Sequence, residues 1–160
     1  IRIEDICRKA EVSTGTFYTY FTSKNDILEL IFKQSDDFFK DEVRKKLKDY
    51  DPVEGVVEFF QMYADYNTRT GLTTLNQMYN PENKFFAKKR GMQEVLEEVI
   101  ERGQEEGAIK QNCSAEQLVE YLFIVARGVV FDWCLKDGKY SLPDKMIPMI
   151  QKYIEAESCV

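Results

Sequence analysis

The residues with chemistry to offer are concentrated between Val12 and Lys24, which read V-S-T-G-T-F-Y-T-Y-F-T-S-K. Wound as a helix, with about 100° between neighbours, this stretch puts Phe17 and Phe21 one turn apart on one face. Gly15 and Thr19 then point the opposite way, flanked by Thr16 and Tyr18. That outward face carries hydroxyls and a glycine but no carboxylate and no bulk, so it can lie close to the edges of nucleic-acid bases. Tyr18 and Tyr20 hold hydroxyl donors on long, stiff arms, and Lys24 offers a cation to a phosphate. Phosphate contacts fix position on a duplex, whereas base-edge contacts specify sequence. Thr14, Thr16 and Thr19 cannot make the bidentate base contacts of arginine or asparagine, so part of the specificity is expected from DNA shape.

The elements that must position this face are short. Ile3, Ile6, Cys7 and Ala10 recur at helical spacing, Glu11-Val12-Ser13 reads as a turn, and Ser13 is placed to cap a helix from Thr14 to Tyr20 or Phe21. Two short helices across a tight turn make a helix-turn-helix, with Ile6, Ala10, Val12, Phe17 and Phe21 expected as its small core. Ser23 is expected to cap a long helix with apolar positions at Ile27, Leu28, Leu30, Ile31, Phe38, Val43 and Leu47. Asp51-Pro52 opens another, which runs to about Thr70 and stops at Gly71. The rest of the pattern predicts a short helix over residues 72–79 and a long one over residues 84–106. A further helix starts at the Ser114/Gln117 capping box and reaches about Lys136. The last is opened by Ser141 and Pro143, reaches about Ala156, and is bent or split at Pro148. No stretch alternates like a strand, so the fold class is all-α. We divide the chain into residues 1–48, the helix-turn-helix with its connecting helix, and residues 49–160, a larger helical domain.

The larger part offers two surfaces. Phe59, Phe60, Met62, Tyr63, Tyr66, Met78, Tyr79, Phe85, Phe86 and Met92 form a dense aromatic and methionine set that could line a pocket or simply fill a core. Tyr121 and Ile124 could close such a pocket, and Asn67, Gln77, Arg127 and Asp132 could be its polar anchors or simply hold helices together. Arg127 lies on a helix that is otherwise apolar nearly all round, and a charge there needs a partner. A helix apolar on every side is buried on every side, so one side of it is expected to face the subunit core and another a second copy. Leu122, Ala126, Val129, Val130 and Trp133, with Met146, Met149, Ile150 and Tyr153 of the last helix, are the candidate dimer residues.

Composition narrows the function classes. The sequence of 160 residues carries a net charge of −6, but residues 1–48 hold 10 Lys+Arg against 9 Asp+Glu, whereas residues 49–160 hold 12 against 19. The acidity sits in the larger part, which leaves the first part free to approach phosphate. There is no histidine, and the cysteines, Cys7, Cys113, Cys134 and Cys159, are far apart. This removes support for a Cys/His zinc site and for Ser-His or Cys-His catalysis. With no glycine-rich phosphate loop either, neither an enzyme nor a bound cofactor is expected. No apolar run approaches the roughly 20 residues that span a bilayer, and no signal peptide is visible, so we expect a cytoplasmic protein.

Taken together, Val12, Gly15, Thr16, Phe17, Tyr18, Tyr20, Phe21 and Lys24 match the signature of TetR-family repressors, and Ile3, Ile6, Cys7 and Ala10 resemble the helix that precedes it, with cysteine where alanine is common. The specific resemblance covers about 28 residues. It implies that Thr14, Gly15, Thr16, Tyr18 and Thr19 face the major groove and that Thr16, Tyr20 and Lys24 hold phosphates. It also implies a TetR-type ligand-binding and dimerisation domain in which the last two long helices pair with their copies across a two-fold axis. A homodimer of this kind would read a near-palindromic double-stranded operator and be released by a small hydrophobic or aromatic effector. The family places a further helix before Ile1, so we expect an upstream segment. The alternative on the same fold is an architectural or nucleoid-associated DNA-binding protein with no effector.

Overall fold

We describe residues 2–83, 86–87 and 89–158 from a computed structural model. Phe85 of the aromatic set and Cys159 lie outside the described residues. Every long element among the described residues is helical, and the chain divides into two compact units, Ile1–Asp36 and Asp37–Val160. The division falls within the helix expected to act as connector.

The first unit contains α1 (Ile3–Lys9), α2 (Thr14–Tyr20) and the start of α3 (Lys24–Phe38), with α1 packed on α2. Ser13 caps α2 as expected: its Oγ accepts from the Thr16 N–H at 3.0 Å. The turn between α1 and α2 closes through Val12 N–H donating to the Cys7 carbonyl at 3.0 Å, with Glu11 at φ 55°. Cys7, Phe17, Leu28 and Phe32 are buried, and Ile6 and Phe21 are half-buried. Val12 and Ala10 are instead exposed, so the expected core was too generous by two residues. The turn holds Val12 outward, and a unit this small can cover few side chains completely. The start of α3 also differs from expectation. Ser23 donates rather than accepts: its N–H and Oγ, with those of Thr22, converge on the Asp26 carboxylate at 2.6–3.3 Å.

The second unit opens at the end of α3 and continues through a single wide π-helical turn, Phe39–Val43, into α4 (Arg44–Leu47). Phe39, Val43 and Leu47 are buried at spacings of four. Successive steps of four overshoot one face of an ordinary α-helix, and a turn bonded i to i+5 absorbs the excess. Asp51 caps α5 (Pro52–Thr70) through Val53 N–H, and Gly71 ends it at φ 81° and leads into α6 (Leu72–Met78). The helix expected from residue 84 begins only at Gly91: α7 runs Gly91–Glu105, because Arg90 is extended and its N–H is held by Gln93 Oε1 at 2.8 Å. α8 (Ala115–Leu135) starts from the expected Ser114/Gln117 capping box.

The last helix, α9 (Leu142–Glu157), is capped by Ser141 and is not split at Pro148. Its stripe of Leu142, Met146, Ile150 and Ile154, spaced by four, is wholly buried. Pro148 lies on the exposed side, where water can satisfy the carbonyl that lost its partner. α5 is central and packs on α9, α7 and α8; α8 also packs on α9 and α7. No helix among the described residues is long and apolar enough to cross a membrane, and no cluster of His, Cys, Asp or Glu there could hold a metal ion.

Candidate nucleic-acid interface and effector site

On α2 the inward position is Phe17, at 4% exposure, and its ring packs edge-on against Tyr18 and tilted against Phe21, both at 5.3 Å between centroids. Everything else on this helix faces out. Thr14, Gly15, Thr16 and Thr19 are exposed, as are Tyr18 and Tyr20, the latter at 77%. The hydroxyls are already ordered. Thr16 Oγ1 shares a hydrogen with Ser13 Oγ at 2.9 Å, and Thr19 Oγ1 donates to the Gly15 carbonyl at 3.1 Å. The Thr19 hydroxyl, as a donor, keeps its lone pairs for a further contact. Gly15 is informative because the fold does not require it: a Cβ there would meet only Ser13 Oγ at 3.6 Å, an ordinary contact. A side chain at residue 15 would therefore point into open space rather than into the fold. Lys24, at the start of α3, is exposed. Asp26 behind it is held as a carboxylate, its pKa lowered to about 2, first by the Thr22 hydroxyl and then by the Thr22 N–H and the Ser23 hydroxyl.

The expected pocket residues separate into three groups. The first is a closed aromatic cluster. Phe59 and Phe60 are fully buried and Tyr63 nearly so. Their rings lie 5.6–5.9 Å from that of Phe123 on α8, and Phe39 lies 5.0 Å from Phe59. Edge-to-face pairs of this kind add about 0.5–1.5 kcal/mol each beyond their burial. Met78 and Met92 are buried too, and Asn67 Nδ2 donates to the Tyr63 carbonyl at 2.8 Å, a bond within its own helix. Tyr66 stacks on Phe38 at 5.4 Å.

The second group carries polarity. Arg127 extends its guanidinium between Phe86, at 4.8 Å, and Phe123, at 5.1 Å, while Phe86 leans on Tyr79 at 4.8 Å. Arg127 Nε and Tyr79 Oη are buried without a hydrogen bond of acceptable geometry. Burial, then the neighbouring Tyr63 hydroxyl, pushes the Tyr79 phenol well above its usual pKa.

The third group, Tyr121 and Ile124, does not line this interior. They are exposed at 43% and 60%. α8 turns them away from α5 because the positions that meet the core are Leu118, Leu122, Ala126, Val129 and Trp133.

This register also corrects the dimer residues. Leu122, Ala126, Val130, Met146 and Ile150 are fully covered within the subunit, and Val129 and Trp133 nearly so. Trp133 Nε1 donates to the Tyr140 carbonyl at 2.8 Å. Of the expected set only Met149, at 46%, is exposed, with Tyr153 half-buried. The outward stripe of α8 is instead Tyr121, Ile124, Gly128, Phe131 and Leu135, alternating steps of three and four. The sequence held the signal: once one core face is subtracted from an all-apolar helix, this register is what remains.

Residues 2–31 match the family model described as bacterial regulatory proteins, tetR family, and residues 75–156 match that of the YsiA-like protein C-terminal region. The chain is 24% identical over 149 residues to the fatty acid metabolism regulator protein of Bacillus subtilis (strain 168), covering 88% of this chain and 77% of that one. A crystal structure of Thermus thermophilus FadR, a TetR-family transcriptional repressor in complex with lauroyl-CoA, shares the fold with a TM-score of 0.73 at 21% identity, covering 100% of this chain and 86% of the other. With a reader helix of this sequence and shape at one end and a matching helical region over more than half its length, the chain belongs to the TetR family of bacterial transcriptional regulators.

Proposed function

We propose that this chain represses transcription by binding a near-palindromic operator as a homodimer and is released by a long-chain acyl thioester. The observation that carries the DNA-binding half is the outward face of α2, with Thr14, Gly15, Thr16, Tyr18, Thr19 and Tyr20 all exposed around a glycine the fold itself does not need. The homodimer reading draws on the apolar stripe of α8, with Met149 of α9 beside it. The effector class is drawn from the fatty acid metabolism regulator and from the repressor bound to lauroyl-CoA. Entry of an acyl chain requires the rings of Phe59, Phe60, Tyr63 and Phe123 to separate. The effector therefore acts by favouring a state other than the closed one, and it relieves repression only if that state binds DNA less well.

The closed cluster also favours a second reading, an effector-independent architectural protein of the same fold. One experiment separates them. Sequences bound by the intact protein are selected from random DNA, and the winning duplex is then challenged with lauroyl-CoA or with coenzyme A alone. Release by lauroyl-CoA and not by coenzyme A supports the repressor. Stable binding throughout supports the architectural protein. Selection of no sequence in preference to bulk DNA removes operator recognition altogether.

A further inference from the structure

Arg127 Nε is buried with no partner, and Tyr79 Oη, buried in the same neighbourhood across the ring of Phe86, has the Tyr63 hydroxyl beside it but no hydrogen bond of good geometry. A buried polar atom without a partner is destabilising, and native folds leave few of them. Both groups are donors. The guanidinium N–H has no other option, and the phenol keeps its proton because burial raises its pKa. An acceptor oxygen placed between them would engage both N–H and O–H. Tyr63 and Phe123 continue from this spot into the apolar cluster, with Tyr63 beside Tyr79 and Phe123 beneath the guanidinium. The arrangement is polar at the Arg127, Tyr79 and Tyr63 hydroxyl end and apolar beyond, toward Phe59, Phe60 and Phe123, which suits a chain with a carbonyl at its head.

We propose that Arg127 and Tyr79 are specificity-determining residues that hydrogen-bond the carbonyl oxygen of the acyl group, while the chain lies toward Tyr63 and Phe123. This rests on the acyl-thioester reading above and adds the atoms that recognise the thioester. Arg44 Nε is also buried without a partner, but that guanidinium is engaged by Glu98 at 2.8 Å on a surface-facing pair, so it marks no second site.

The test compares lauroyl-CoA with S-dodecyl-CoA, a thioether of matching chain and headgroup that lacks only the carbonyl oxygen. Binding is measured by calorimetry on the intact protein, its Tyr79→Phe variant and its Arg127→Met variant. The wild type should prefer lauroyl-CoA by about ten- to a hundredfold, as expected for loss of one or two hydrogen bonds to a buried donor pair. Each variant should lose about tenfold of lauroyl-CoA affinity and leave S-dodecyl-CoA unchanged. Tyr79→Phe without ligand should melt no lower than wild type, because it removes an unsatisfied hydroxyl and keeps the ring. Equal binding of the two probes by the wild type, or equal losses for both in the variants, overturns the assignment and leaves the acyl-thioester reading standing. Binding of neither probe overturns both. Tighter binding of dodecanoate than of lauroyl-CoA overturns the thioester in favour of a free carboxylate.

Discussion

In the proposed homodimer, Ile124→Asp should separate the two copies into monomers. Ile124 is 60% exposed at the second position of the α8 stripe. Fully burying an isoleucine side chain is worth about 1.5–3 kcal/mol, so covering what remains exposed contributes about 1–2 kcal/mol per copy. A two-fold axis places the same residue on both sides of the contact, so the dimer loses about 2–4 kcal/mol. At 1.4 kcal/mol per decade that is about a 30- to 700-fold weaker self-association, before the added cost of burying a carboxylate. Sedimentation velocity across a dilution series reads this directly. The variant should also lose operator binding, because a single reader covers only half a palindrome. The residue is exposed within its own subunit, so circular dichroism should show undiminished helix content. An Ile124→Asp protein that sediments as wild type at every concentration would refute the assignment of this face.

Gly15→Ala should fold as wild type, since its Cβ meets only Ser13 Oγ at 3.6 Å, yet lose at least about tenfold in operator affinity; full affinity would show that nothing approaches Gly15 closely. Lys24→Ala should reduce the slope of log affinity against log salt by about 0.9 for each lost phosphate contact, about 1.8 for a dimer, and an unchanged slope would remove Lys24 from the phosphate contacts. Phe59→Ala empties the centre of the ring cluster and should cost about 3–5 kcal/mol in a urea melt, far more than a partly open pocket would lose. Asp26 has a folded-state pKa of about 2, below its ordinary 3.8, so its contribution is present above about pH 4 and is lost as the pH falls through 2. The melting temperatures of wild type and Asp26→Asn should therefore differ at pH 7 and converge near pH 2.

Much of this molecule could be read from residue order because local rules and tertiary packing agree along most of it. Ser13, Asp51, Ser114 and Ser141 cap helices where their side chains predict, and Phe17 turns inward as a 100° step requires. α8 was harder. A helix apolar on every side announces burial but not which side is buried against what, so Ala126 and Met146 were assigned to a surface they do not reach and Phe131 and Leu135 were passed over. Pro148 was over-read for a related reason. The local penalty is real, but a buried stripe of four side chains outweighs one lost hydrogen bond. The charge of Arg127 on an apolar helix was a sequence signal, but that its Nε stays without a partner was not, because that is a property of the surroundings.

The π-turn at Phe39–Val43 keeps one residue more than an α-helix would hold over that span, and its position is set from elsewhere in the unit. The far end of the Lys40 side chain lies where a side chain at Gly91 would go, and its ammonium meets Glu94 at 3.2 Å. Arg44 meets Glu98, and Arg102 donates to the carbonyls of Leu47, Lys48 and Tyr50. Such a surplus residue can travel along a helix by exchanging a few ladder bonds, unless something pins it. Here a lysine is threaded past a glycine by its flexible far end, so an alanine at residue 91 would first move the Lys40 ammonium away from Glu94, leaving the turn itself in place.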